Sequence, residues 1–100
     1  MENWIVKETQ MFHKKFNKLI PKHSQEQVRQ RIMKLAEQPY QGKPLGYDFL
    51  REIKIGKYRI YYVLFKEQIT LLLITISDKK TQQDTINMIK KNIGEYKRYL

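Results

Sequence analysis

The run Leu50-Arg51-Glu52-Ile53-Lys54-Ile55-Gly56-Lys57-Tyr58-Arg59-Ile60-Tyr61-Tyr62 constrains this chain more than any other stretch. Two segments of strand-like alternation meet at Gly56-Lys57. A two-residue loop led by glycine suits a tight type II′ hairpin, whose first central residue needs a positive φ. With that turn in place, Ile55 faces Tyr58, Lys54 faces Arg59, Ile53 faces Ile60 and Glu52 faces Tyr61. Side chains alternate along a strand, so Lys54, Arg59, Glu52 and Tyr61 share one face, and Ile53, Ile55, Tyr58 and Ile60 share the other. Two cations directly opposite one another are mildly destabilising. A sheet that keeps such a pair is a candidate for holding an anion there, and Lys54/Arg59 is read as the start of a phosphate site.

The charge of the whole chain points the same way. Twenty Lys and Arg against ten Asp and Glu give a formal +10 over 100 residues. That balance speaks of partners rather than of fold: nucleic acid, an anionic membrane surface or an acidic protein. The length suits one domain with one core. The absence of cysteine excludes disulfides and thiolate metal sites and fits a reducing cytosol. No metal or cofactor is expected. The opening Met1-Glu2-Asn3-Trp4 lacks the basic-then-apolar pattern of a secretory signal. The longest apolar run, Ile69 to Ile76, is interrupted by threonine and too short to span a bilayer. The expectation is a soluble cytoplasmic protein with no membrane partner.

Phe12, Phe16, Leu19 and Ile20 form the stripe of an amphipathic helix stopped by Pro21. Ser24 is a plausible N-cap for a second helix carrying Val28, Ile32, Leu35 and Ala36 and ending before Pro39. Tyr40 to Asp48, with Gly42, Pro44 and Gly46, reads as a loop. Strands are expected over Phe49–Ile55, Tyr58–Phe65 and Ile69–Ile76, the last two apolar at nearly every position, as for strands covered on both faces. From Thr81 onward Ile86, Ile89, Ile93, Tyr96 and Leu100 share a helical face, with Asp84 near the start and Lys97 and Arg98 near the end, as the helix dipole favours. The expected fold is α+β: a small antiparallel sheet, made of a short N-terminal strand at Trp4-Ile5-Val6 plus a three-stranded meander, with two N-terminal helices and a C-terminal helix. Residues 1–100 form a single domain, with one core under the sheet and a basic cleft on its other face.

The Leu50–Tyr62 phrase resembles the signature hairpin of the RelE/ParE toxin superfamily. Gly42-Lys43-Pro44-Leu45 is similar to the loop that precedes that hairpin. Ile76-Ser77-Asp78-Lys79-Lys80-Thr81-Gln82, followed by a helix ending Tyr96-Lys97-Arg98-Tyr99-Leu100, is similar to the branch with HigB-type and phage-derived relatives, where a Lys-Lys-Thr motif leads into a C-terminal helix. The resemblance covers nearly the whole chain. It implies the toxin of a type II toxin–antitoxin system that cleaves mRNA, often on the ribosome, paired with a cognate antitoxin, a helix-turn-helix protein being one form. The ParE branch shares the fold but acts by binding DNA gyrase, so a non-catalytic inhibitor is the alternative, and a plain basic RNA-binding module a third. Convergence of Lys54, Arg59 and Lys79/Lys80 would favour the nuclease; a sheet face covered by the terminal helix would favour the inhibitor.

RNA cleavage by 2′-hydroxyl attack needs a held phosphate, stabilisation of charge growing on its oxygens, and proton transfer. Arg59 is the candidate phosphate clamp because its planar fork can pair two phosphate oxygens; a salt bridge to Glu52 is its structural alternative. As a surface cation its loss should leave the fold intact. Lys54 can bind phosphate or pass a proton, or be merely a solvated strand lysine. The resemblance places Lys79 and Lys80 beside the same face as phosphate ligands. Glu52 is a candidate base, and Tyr61 a proton donor or a platform for stacking a base. Many relatives carry a His or Arg after the last strand and a Tyr near the chain end of the core; Asp78 to Gln83 here has no His and no Tyr. His13 and His23 read as surface or packing residues. Lys57, Arg51 and Tyr61 around the hairpin, and Lys14, Lys15 and Lys18 on the first helix, are the candidate RNA-binding residues.

Overall fold

The computed structural model describes residues 3–100, Met1 and Glu2 lying outside the description. Its elements are β1 (Ile5–Glu8), α1 (Gln10–Leu19), α2 (Lys22–Met33), β2 (Lys43–Pro44), β3 (Leu50–Ile55), β4 (Tyr58–Phe65), β5 (Thr70–Ser77) and α3 (Gln82–Lys91). Short 3₁₀ segments follow α2 at Lys34–Ala36 and α3 at Ile93–Tyr99. The five strands lie in the order β1-β5-β4-β3-β2. No helix among the described residues is long and apolar enough to cross a membrane.

The hairpin is as the sequence dictates. Gly56 has φ +61° and takes the first turn position, while Lys57 stays out of the left-handed region, the pattern of a type II′ turn. Ile55 pairs with Tyr58, Lys54 with Arg59, Ile53 with Ile60 and Glu52 with Tyr61.

The sheet differs from the expected antiparallel one in the direction of one pairing and in one added strand. β1 runs parallel to β5, Ile5 opposite Thr70 through Glu8 opposite Leu73. Thr9 fixes this direction. Its N–H donates to the Leu73 carbonyl at 3.0 Å, its hydroxyl donates to the Ile74 carbonyl at 2.7 Å, and the same hydroxyl oxygen accepts from Phe12 N at 3.0 Å to cap α1. One buried threonine thus ties the end of β1, the start of α1 and the sheet centre together. The strand begins at Ile5 rather than Trp4, which lies before it. The expected loop also contains a fifth strand, β2, pairing Lys43 with Glu52 and Pro44 with Arg51.

Two further boundaries shift. α2 starts at Lys22 with Pro21 as its N-cap, so Ser24 sits inside the first turn instead of capping it. The C-terminal helix is not continuous to Leu100: α3 stops at Lys91, the Asn92 side chain donates to Met88 O at 2.9 Å, and a 3₁₀ segment continues with Leu100 exposed.

Among the described residues there are two cores, not one. Phe12, Phe16, Ile20, Val28, Ile32 and Leu35 of the helical hairpin pack on Ile53, Ile55, Ile60 and Tyr62. On the opposite face Leu50, Tyr61, Val63, Leu72 and Ile74 meet Ile86, Ile89 and Tyr96. Strands apolar at nearly every position demand cover on both faces, and the terminal helix supplies the second. A bulge between Tyr61 and Tyr62 matters here. Tyr61 pairs with Thr75 but Tyr62 with Leu73, leaving Ile74 as an extra residue in β5. Alternation therefore inverts beyond it: Ile76 joins Leu71 and Leu73 in the first core, and Ser77 turns to the face of Arg59 and Tyr61.

Candidate nucleic-acid interface at the hairpin end

The second core does not reach the Gly56-Lys57 turn. Where α3 begins, the sheet face is left to Glu52, Lys54 and Arg59, and the segment after β5 folds alongside. The result is a depression of about 530 Å³ lined by Lys54, Gly56, Lys57, Arg59, Asp78, Lys79 and Lys80. The two cross-strand cations and the lysine pair after β5, 20 residues apart in sequence from Arg59 to Lys79, thus border one space. Five cations in it make an anion-attracting field.

Arg59 forms its inner wall. Its side chain retains 14% exposure, and its Nη1 donates to Glu52 Oε1 at 3.1 Å. The Nε hydrogen is buried without a partner. Glu52 is 6% exposed and has both oxygens occupied, Gln82 Nε2 lying at 3.2 and 2.9 Å from them. The expectation that Arg59 is a surface cation of little structural weight is therefore corrected: its removal would leave a buried carboxylate without its counter-ion. Glu52, the candidate base, is engaged as a brace: it is nearly buried, and Arg59 and Gln82 take three of its acceptor positions, leaving one lone pair on Oε2. Gln82, which sequence reasoning passed over, is the third member of this group; its position in the first turn of α3 is its only sequence signal.

Two RNA-contact expectations fail because the side chains are internal. Arg51 lies on the other face of β3, where Nη1 donates to Tyr40 O and Gly42 O at 2.8 Å each, Nε to Asp48 O at 2.9 Å and Nη2 to Asp48 Oδ1 at 2.6 Å. It is buried and also stacks 4.9 Å over the Tyr40 ring, so it stitches the β2 loop to the sheet. Tyr61 is fully buried in the second core, its hydroxyl 2.7 Å from Ser77 Oγ. Burial pushes its phenol above the ordinary range and outweighs the lowering by Ser77, so it neither stacks a base nor gives up its proton near neutrality.

The remaining cations are outside. Lys14, Lys15 and Lys18 line a shallow depression on α1 with Gln10 and Met11. Lys15 and Lys57 also border a groove of about 420 Å³ between α1 and α3, which reaches Asp78 and so adjoins the cleft. His13 and His23 are exposed on the helical side. Among the described residues no group of three or more His, Cys, Asp or Glu could hold a metal ion. Asp78 is held below the usual carboxylate range, chiefly by the Thr81 backbone N–H and then by its hydroxyl, each 3.0 Å from Oδ1.

These features define a small basic α+β domain with a cationic cleft at one end of a sheet covered on both faces. Residues 7–83 match the profile described as the ParE toxin of type II toxin–antitoxin system, parDE, and the chain belongs to that family. No curated protein sequence matches it significantly. In fold it is similar to a chain of the RelBE2 toxin–antitoxin complex from Mycobacterium tuberculosis, at 22% identity and a TM-score of 0.69, covering 79% of this chain and 94% of that one. A double mutant of the E. coli toxin RelE in the free state is similar at 17% identity and 0.70, covering 86% and 92%. A chain of the RelB–RelE complex from Methanococcus jannaschii is similar at 20% and 0.63, covering 80% and 98%.

Proposed function

We propose that this toxin is an endoribonuclease that cleaves mRNA, on the ribosome, and is held inactive by a cognate antitoxin. The observation that carries the reading is the convergence of Lys54, Lys57, Arg59, Lys79 and Lys80 on one depression. A scissile phosphate seated there meets Arg59 at the wall and lysines at the rim. The substrate 2′-oxygen attacks phosphorus as the bond to the 5′-oxygen breaks, leaving a 2′,3′-cyclic phosphate and a 5′-hydroxyl. The 2′-hydroxyl proton passes to solvent, and a lysine ammonium, Lys54 being the nearest in register to Arg59, protonates the departing oxygen. Charge growing on the phosphoryl oxygens is offset by fixed cations, worth about 10²–10³ in rate for a well-placed donor. Glu52 is engaged by Arg59 and Gln82 and Tyr61 is buried against Ser77, so neither is a ready base and the chemistry is slow without external positioning of the RNA.

A second reading has its own observation: α3 covers the sheet face and Glu52 restrains Arg59, as suits an inhibitor acting on DNA gyrase through protein contacts. The deciding variants are Lys54→Ala and Lys79→Ala, because Arg59→Ala would orphan Glu52. In translating extract read by primer extension, each should lower cleavage while the protein stays folded, and a 2′-deoxy sugar at the scissile position should block it. Growth arrest with altered DNA supercoiling and no cleavage would transfer the case to gyrase. Co-purification with the product of the adjacent gene tests the antitoxin, and a strongly salt-dependent complex is expected.

A further inference from the structure

Asp78 is out of place in a phosphate cleft. It lines the cationic depression and also the groove between α1 and α3, so it stands where the two meet. A carboxylate repels a bound phosphate, and nothing in the phosphate chemistry above uses it. The groove behind it differs in character. Met11 and Leu19 of α1, Tyr58 of β4 and Met88 of α3 give it apolar walls, and Ser77, Thr81 and Thr85 give it a polar side. Apolar walls with one polar side are what an unstacked base requires. At about 420 Å³ it is large enough for one, and it opens directly beside the place where that nucleotide's phosphate would sit.

The hydroxyls of the polar side have no donor to spare. The Thr81 hydroxyl donates to Asp78 Oδ1 at 3.0 Å, the Thr85 hydroxyl to Thr81 O at 2.8 Å, and the Ser77 hydroxyl to Asp78 O at 3.0 Å, leaving Tyr61 as donor to Ser77 Oγ. These hydroxyls therefore keep only lone pairs for a ligand. Thr81 occupies Oδ1 of Asp78, which leaves Oδ2 open as an acceptor.

We propose that the α1/α3 groove is a nucleobase subsite and that Asp78 selects bases presenting an amino or N–H edge, guanine foremost, over uracil. Guanine offers N1–H and the 2-amino group side by side, adenine and cytosine each an amino group, and uracil a single N–H between two carbonyls that the acceptor-lined wall rejects. Lys15 and Lys57, which also line the groove, are the cations available to the flanking phosphates. The proposal rests on the RNA-cleaving reading and assigns the base that sits beside the cleft.

Uncleavable 2′-O-methyl hexamers test it by fluorescence anisotropy at low salt: all uridine, or uridine with one guanosine, adenosine or cytidine. Wild-type protein should bind the guanosine hexamer about tenfold more tightly than the all-uridine one. Asp78→Asn keeps the turn to Thr81, because asparagine caps as well as aspartate, yet its added NH₂ donor should erase or reverse that preference at an unchanged melting temperature. Lys79→Ala should weaken all four hexamers alike. Equal binding of the four by wild type, or an unchanged preference in Asp78→Asn, overturns the subsite and leaves the RNA reading standing. Failure of every hexamer to bind overturns both.

Discussion

Replacing Glu52 with glutamine should make the protein less stable and its cleft stickier for anions, opposite effects from one substitution. Glutamate accepts three hydrogen bonds here, one from Arg59 Nη1 and two from Gln82 Nε2, using both oxygens. Glutamine has one acceptor oxygen and no charge, so Arg59 loses its counter-ion and Gln82 must turn its amide over to avoid meeting the new NH₂ donor-to-donor. Removing one member of a buried ion pair costs about 3–5 kcal/mol, and an orphaned donor about 1–3 kcal/mol. Arg59 keeps 14% exposure and can recruit water, so a loss of about 2–3 kcal/mol is expected. For a domain of 100 residues that lowers Tm by about 10–20 °C. Meanwhile the carboxylate no longer repels a phosphate in the cleft. At a separation of about 8 Å and an effective dielectric near 20 that repulsion is about 2 kcal/mol, and salt trims it towards 1, or about fivefold in affinity. Differential scanning calorimetry and oligonucleotide titration read the two effects separately. Unchanged Tm with unchanged or weaker anion binding would refute the brace. Cleavage abolished while binding tightens would return Glu52 to the role of catalytic base.

Three further outcomes follow from buried groups. Gly42→Ala would place a Cβ 2.5 Å from the Tyr62 hydroxyl and 2.8 Å from Glu52 O; the displaced hydroxyl now bonds Pro39 O and Gly42 N, so about 2–4 kcal/mol should be lost, and a variant as stable as wild type in urea would contradict the packing. Arg51→Ala strips donors from the carbonyls of Tyr40, Gly42 and Asp48 and should lower the urea midpoint by about 2 M; the Asp48 ion pair adds little because that side chain is 80% exposed. Normal stability with lost RNA affinity would restore Arg51 as a surface contact. Tyr61 and Tyr62 are raised above the ordinary phenol range, first by burial, so the folded state keeps protons that the unfolded chain releases; their stabilisation is complete below pH 10 and is lost as pH rises through the folded values. Phenolate absorbance should therefore appear together with loss of circular dichroism, and titration of all the tyrosines near pH 10 with the fold intact would exclude this linkage.

The hairpin was legible because its determinants are local: a glycine that must lead the turn, and alternation that needs only neighbouring residues. The convergence of Lys79 and Lys80 on the hairpin face came from the family resemblance, not from periodicity. What escaped the sequence was set by contacts distant along the chain. The direction of β1 depends on Thr9 meeting Leu73 and Ile74, which no local pattern encodes. The bulge at Ile74 reverses alternation without a glycine to mark it. The second core was implicit in strands apolar throughout, yet the Lys54/Arg59 pair suggested an open face; both hold, because α3 covers the sheet only up to the hairpin end. The Arg59–Glu52 pair was legible from the hairpin register but its burial was not, and Arg51 read as surface charge because its partners Tyr40, Gly42 and Asp48 lie outside the hairpin.

The pairing of β1 with β5 also governs when this protein becomes itself. Ile5 must wait for Thr70, 65 residues later, and β5 is the strand on which both β1 and β4 lean. At about 5–20 residues per second, translation leaves the apolar stripes of α1 and α2 without their sheet for about 3–13 s. Throughout that interval Lys79 and Lys80 have not yet been made, so the nascent chain carries Arg59 but no cleft. The cationic cleft thus cannot exist on the nascent chain until β5 has been made and the segment after it lies beside the hairpin.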